Sequence, residues 1–194
     1  MTGGIGVGKT EALKAFARHG AAVISSDEIV HRLLREDEGV RRALVERFGQ
    51  RIVRQDGEID RAAVAEIVFR SPADLDWLEA LLHPRVVREY LEWRERLAAL
   101  PNPPDICATE VPLLYEVGGE SRFDAVVALT ASERLRARRG RPLAGERAGR
   151  QLPDEEKLMR ADYAYVNNRS LEDLDTYVAG VVADLRRRRD SGLT

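Results

Sequence analysis

The residues Gly3-Gly4-Ile5-Gly6-Val7-Gly8-Lys9-Thr10 fit the pattern GxxxxGK[ST]. Glycines at such spacing let a backbone curl closely around phosphate oxygens, where a Cβ would intrude. The N–H groups of Gly4, Ile5, Gly6, Val7 and Gly8, with the start of the helix that follows, then face negative charge. In that arrangement Lys9 reaches the β- and γ-phosphates of a nucleoside triphosphate, and Thr10 offers its hydroxyl to Mg²⁺. ATP with Mg²⁺ is the expected ligand pair. The pattern speaks strongly for phosphate binding and hardly at all about what accepts the phosphoryl group.

Other residues suit an acceptor or a transferring phosphate. Ser25-Ser26-Asp27 follows a short apolar run, at the point where a parallel sheet presents its carboxyl edge and open α/β folds gather ligands. Spacing alone gives Asp27 two roles of equal weight: orienting an acceptor hydroxyl, or capping a helix that starts near Glu28. Arg138, Arg141, Arg147 and Arg150 surround a glycine-containing stretch. Such a stretch could close as a lid over a phosphoryl group, although a solvated basic loop explains any one of them equally well. His83 precedes Pro84 in an apolar run and suits a binding role or a packed core position alike.

The elements that must carry these residues alternate between strand and helix. A helix is expected over 9–18 with Gly20 as its stop, then a strand over 21–24. Residues 41–100 read as helices without a confident strand. Ser71-Pro72 looks like an N-cap and first-turn proline, one helix ends at His83-Pro84, and another covers 86–100 until Pro101. Buried parallel strands are expected over 105–109 and 125–129, with a last strand over 163–166. A basic helix ends near 139, another helix starts near 152, and a terminal helix from Ser170 carries the capping-box spacing Ser170…Asp173. The expected domains are a nucleotide core of 1–40 and 101–194, with a lid near 139–152, and a helical substrate-binding insertion of 41–100. Only Met1 and Thr2 precede Gly3, so the strand that normally delivers a phosphate loop is expected to be missing, which would strip two neighbours of backbone partners.

Composition narrows the class. The 194 residues are 44% hydrophobic, enough for a sizeable core. Acidic residues number 33 against 31 basic ones, a net charge of -2, so nucleic acid is not the expected main partner. The run Arg186-Arg187-Arg188-Arg189 reads as a solvated helix end. Cys107 is the single cysteine and is expected to be buried, while His19, His31 and His83 lack metal-ligand spacing. No leader and no apolar stretch of about 18 residues is seen, so the cytosol is the expected location and no membrane the expected partner.

Several segments in order resemble the dephospho-coenzyme A kinases. They are TGGIGVGKT at 2–10, VISSDEIVHRLL at 23–34, DGEIDRAAVAEIVF at 56–69, LLHP at 81–84, VPLLYE at 111–116, RQLPDEEKLMRADY at 150–163 and NN at 167–168. The resemblance implies a three-layer α/β P-loop kinase fold with a mostly parallel sheet, a helical part that binds coenzyme A, and a lid. It also implies transfer of the γ-phosphoryl group of ATP to the 3′-hydroxyl of dephospho-CoA, in a monomer or weak homo-oligomer. By likeness Asp27 falls on the family's base, and Arg61 and His83 on acceptor segments. Leu113 and Leu114 fall on the loop shaping the acceptor site, Arg138 and Arg147 on the lid, and Asn168 near the adenine edge. Ser25 departs from the family, which commonly has an acid two positions before the base, and the lid is a few residues shorter than usual. Two rivals stay open: another P-loop small-metabolite or nucleotide kinase, and a nucleotide-dependent switch that phosphorylates nothing small.

Overall fold

The computed structural model describes residues 1–139 and 152–192. The chain divides into two compact units, Met1–Ser25 with Leu100–Thr194, and Ser26–Ala99.

The first unit is built on parallel strands. β1 (Thr2–Gly3) pairs with β4 (Val127–Thr130), and β4 pairs with β5 (Tyr163–Val166). β2 (Ala22–Ser25) pairs with β3 (Cys107–Glu110), from Ala22 opposite Cys107 to Ser25 opposite Glu110. Met1 joins the two sets. Its nitrogen donates to Thr109 O at 2.7 Å, and its carbonyl accepts from Val111 N at 2.8 Å. Bonds that flank Glu110 in this way continue a parallel ladder, so the order is β2-β3-β1-β4-β5. The expectation of a missing strand is therefore corrected: residues 1–3 occupy its place beside β3 and β4. Gly3 is required there, because at φ 141° a Cβ would lie 2.3 Å from Leu129 O.

Helices complete this unit. α1 (Lys9–Arg18) packs against the terminal helix, Leu171–Asp190. Its Leu13 and Phe16 enter a core with Val7, Val127, Leu129, Leu174, Val178 and Val182. α1 ends where expected, with Gly20 at φ 85°. β3 and β4 each begin two residues later than the apolar runs at 105–109 and 125–129 suggested. Cys107, expected to be buried, is exposed at the amino end of β3, because burial on that strand begins only at Thr109.

The second unit is helical: α2 (Ser26–Glu36), α3 (Glu38–Phe48), a 3₁₀ turn (Gln50–Ile52), α4 (Arg61–Arg70) and α5 (Pro72–Ala98). α5 packs on α2 and α4, and Ser71 Oγ accepts from Asp74 N at its start. The expected break at Pro84 does not occur. One helix of 27 residues runs through it, because the proline withholds only a single ladder donor, a local cost that the packing of a long helix outweighs. α2 begins at Ser26 and belongs to this unit rather than to the nucleotide core. Asp27 therefore lies inside its first turn, not ahead of it as a cap. Among the described residues, no helix is long and apolar enough to cross a membrane.

Among the described residues of the first unit, α6 (Glu133–Arg138) and α7 (Asp154–Arg160) precede α8 (Leu171–Asp190). Ser170 and Asp173 form the expected capping box on α8. The basic run at its end is tied down rather than merely solvated, since Arg186 and Arg189 pair with Asp105, and Arg187 and Arg188 with Asp184.

Candidate active site

Residues 3–10 leave β1, turn, and enter α1. Gly8 is the residue before the helix, at φ 98°, and no side chain caps it, so the first N–H groups of α1 are left for a ligand. Lys9 Nζ donates to Gly3 O at 2.9 Å and Gly4 O at 2.8 Å, which folds its ammonium over the loop. Thr10 is exposed on the first turn, whereas Val7 is buried in the core and anchors the loop from below.

Among the described residues, the arginine bonded to the loop stands next to the expected Arg138. Arg138 is exposed at the end of α6, while its neighbour Arg139 donates from Nη1 to Gly6 O at 2.9 Å. Arg136, one helical turn earlier, is buried and donates to Ala131 O and Thr130 Oγ1, each at 2.8 Å. It also pairs with Asp154 on α7. Burial pulls its guanidinium below its ordinary value, against the raising field of Glu133. Helical spacing puts Arg136 and Arg139 on one face, a signal available in the sequence. Arg147, and with it most of the expected lid, lies outside the described residues.

Two amides follow β5. The expected Asn168 is exposed, and its Oδ1 accepts from Ser132 N at 2.7 Å. Asn167, which sequence reasoning passed over, is 2% exposed and donates from Nδ2 to Val7 O at 2.8 Å. Strand alternation through Tyr163 and Tyr165 would have pointed to it.

At the carboxyl end of β3, Glu110 is buried, and its Oε1 accepts from Ser25 Oγ at 2.8 Å. The acid lost at position 25 thus has a counterpart directly opposite on the neighbouring strand. In the loop after β3, Leu114 is 1% exposed within a cluster with Tyr115 and Val126, while Leu113 stays half-buried. Glu116 Oε1 lies 2.7 Å from Lys157 Nζ and accepts from Leu152 N at 2.9 Å. Lys157 is 1% exposed. Arg160 stacks over the Tyr115 ring at 4.3 Å. Burial raises the Tyr115 phenol above 10.0, against the lowering field of Arg160.

The remaining expected residues lie in the helical unit. Asp27 is exposed on the first turn of α2. Arg61 opens α4, whose N–H groups at Ala62 and Ala63 are capped by Asp60. With His31, Arg35 and Arg54 it lines a cavity of about 440 Å³. His83 is half-buried on α5 and is not among the residues lining that cavity.

A parallel sheet with helices on its faces and a glycine loop feeding a helix define a P-loop kinase of three-layer α/β architecture. A sequence model described as dephospho-CoA kinase matches residues 1–173. Dephospho-CoA kinase of Mesorhizobium japonicum is 37% identical, over 98% of each chain. That of Frankia casuarinae is 34% identical over 100% of this chain and 86% of its own. Among solved structures, TT1252 from Thermus thermophilus superposes with a TM-score of 0.72 at 35% identity over 95% of both chains. Dephospho-CoA kinase from Campylobacter jejuni gives 0.70 at 26%, over 97% of this chain and 96% of its own. The chain belongs to the dephospho-CoA kinase family.

Proposed function

We propose that this protein transfers the γ-phosphoryl group of ATP to the 3′-hydroxyl of dephospho-CoA, giving CoA and ADP, the last step of coenzyme A synthesis. The observation that carries the reading is the uncapped phosphate loop under Lys9, in a chain that matches this family over residues 1–173. Lys9 exchanges two carbonyl oxygens for phosphate oxygens when ATP enters. The site fits a magnesium nucleotide by its own chemistry: the Thr10 hydroxyl on the first turn of α1 and the buried Glu110 carboxylate at the carboxyl end of β3 are hard oxygen donors. When bound, Mg²⁺ neutralises charge on the β- and γ-phosphates.

Asp27 accepts a hydrogen bond from the acceptor hydroxyl and aligns it for in-line attack. Arg61 and His83 bind the acceptor, with Leu113 shaping its site; Leu114 acts from within the core beneath it. Arg138 and Arg147 stabilise the transferring oxygens. The protein works in the cytoplasm as a monomer or weak homo-oligomer, where ATP is at hand.

The test is ADP release from ATP with and without dephospho-CoA, set beside nucleoside monophosphates and shikimate. Release should depend on dephospho-CoA and be fastest with it. Release indifferent to any acceptor, or faster with another, would sink the assignment.

A further inference from the structure

The peptide planes of the phosphate loop are held through their carbonyls. Lys9 holds Gly3 O and Gly4 O until phosphate oxygens replace them, while Arg139 holds Gly6 O and Asn167 holds Val7 O. Every peptide bond among the described residues is trans, so each fixed carbonyl also fixes the N–H of the next residue, which points the opposite way. The amide of Asn167 thereby aims Gly8 N–H, and the guanidinium of Arg139 aims Val7 N–H.

Two consecutive side chains stand behind the second half of this arrangement. The main chain of Asn167 donates to Thr130 O at 2.7 Å, carrying the β4–β5 pairing one residue past Val166. Its Nδ2 meets a carbonyl, so the amide can face Val7 only as a donor. The fit is close, since a Cβ on Gly8 would lie 2.4 Å from that nitrogen. Asn168 has the reverse duty. Its Oδ1 meets Ser132 N–H and can serve there only as an acceptor. Ser132 is the residue before α6, the helix that leads directly into Arg139.

We propose that Asn167 and Asn168 are positioning residues for the triphosphate, one acting directly on the loop and one through α6 and Arg139, and that the Asn168 side chain does not read the base. The proposal rests on residues 3–10 as the phosphate site and is independent of the acceptor.

The test measures dissociation constants of ATP and GTP, by equilibrium titration without acceptor, for the parent, Asn167→Asp, Asn168→Asp and Asn168→Ala. Asn167→Asp removes the donor and sets a carboxylate against Val7 O, so both affinities should fall together by about tenfold or more. Asn168→Asp keeps the acceptor and should stay within about threefold of the parent, while Asn168→Ala should lose about fivefold for both nucleotides. A side chain that reads adenine through its amide predicts a different pattern. Asn168→Asp would then be as weak as Asn168→Ala, and the ATP-to-GTP ratio would shift in both, which would overturn the proposal. If Asn167→Asp fails to fold, the Asn168 pair still decides. A parent that binds neither nucleotide would overturn the proposal together with the phosphate-loop reading. A parent that binds both yet leaves dephospho-CoA untouched would refute the acceptor alone.

Discussion

At the scale of single residues, the glycine loop is braced by side chains far along the chain, Arg139 at Gly6 O and Asn167 at Val7 O. The loop pattern itself is contiguous in sequence and therefore legible, and its Gly3, Gly6 and Gly8 sit at positive φ. Asn167, Arg139 and Glu110 were not legible, since each acts on something distant in sequence: Val7, Gly6 and Ser25. The absence of an acid at position 25 looked like a lost charge, and only strand pairing reveals the carboxylate facing it. Asp27 lies inside the first turn of α2 and is not its cap. Asp27→Asn should lower kcat by about 10² while leaving ATP affinity nearly unchanged. Single-turnover and binding measurements would separate these, and a kcat within about twofold of the parent would remove the base role.

At the scale of elements, local signals held where they were self-contained. The Ser170–Asp173 capping box and the Ser71 cap are both present, and β5 spans the residues expected. Pro84 misled because a proline's missing donor is a local cost that a long packed helix can absorb, and packing cannot be read from a dipeptide. α7 shows a different kind of element, one held in place by charge. Asp154 faces Arg136, Lys157 faces Glu116 and Arg160 faces Glu120, so the helix reaches α6 and the loop after β3 at once. The middle pair is buried, and removing one partner of such a pair costs about 3–5 kcal/mol, because the other charge is left without compensation. Glu116→Gln should therefore destabilise the protein by that amount in urea unfolding, while adding Lys157→Met should recover most of the loss. Additive losses in the double variant would show that the pair is not coupled.

At the scale of the whole molecule, two tyrosines tie stability to pH on the alkaline side. Burial, together with the field of Tyr165, pushes the Tyr177 phenol up to about 12, and burial with the hydrogen bond to Asp184 does the same for Tyr163. Both start from 10.0, so the unfolded chain ionises first. Their contribution is complete below the unfolded value and is lost as pH rises through the folded one, a window from about 10 to 12. Melting temperature followed across that window should fall, and Tyr177→Phe should fall less steeply. Parallel curves would contradict the shift. The Arg136–Asp154 pair has a wider meaning. It ties α6 to α7, so both ends of whatever chain joins those helices are fixed by a contact of the frame itself. Doubling the length of a flexible connection between fixed ends costs only about 0.6 kcal/mol in closure entropy. Residues inserted between these two helices should therefore leave the melting temperature of the frame nearly unchanged.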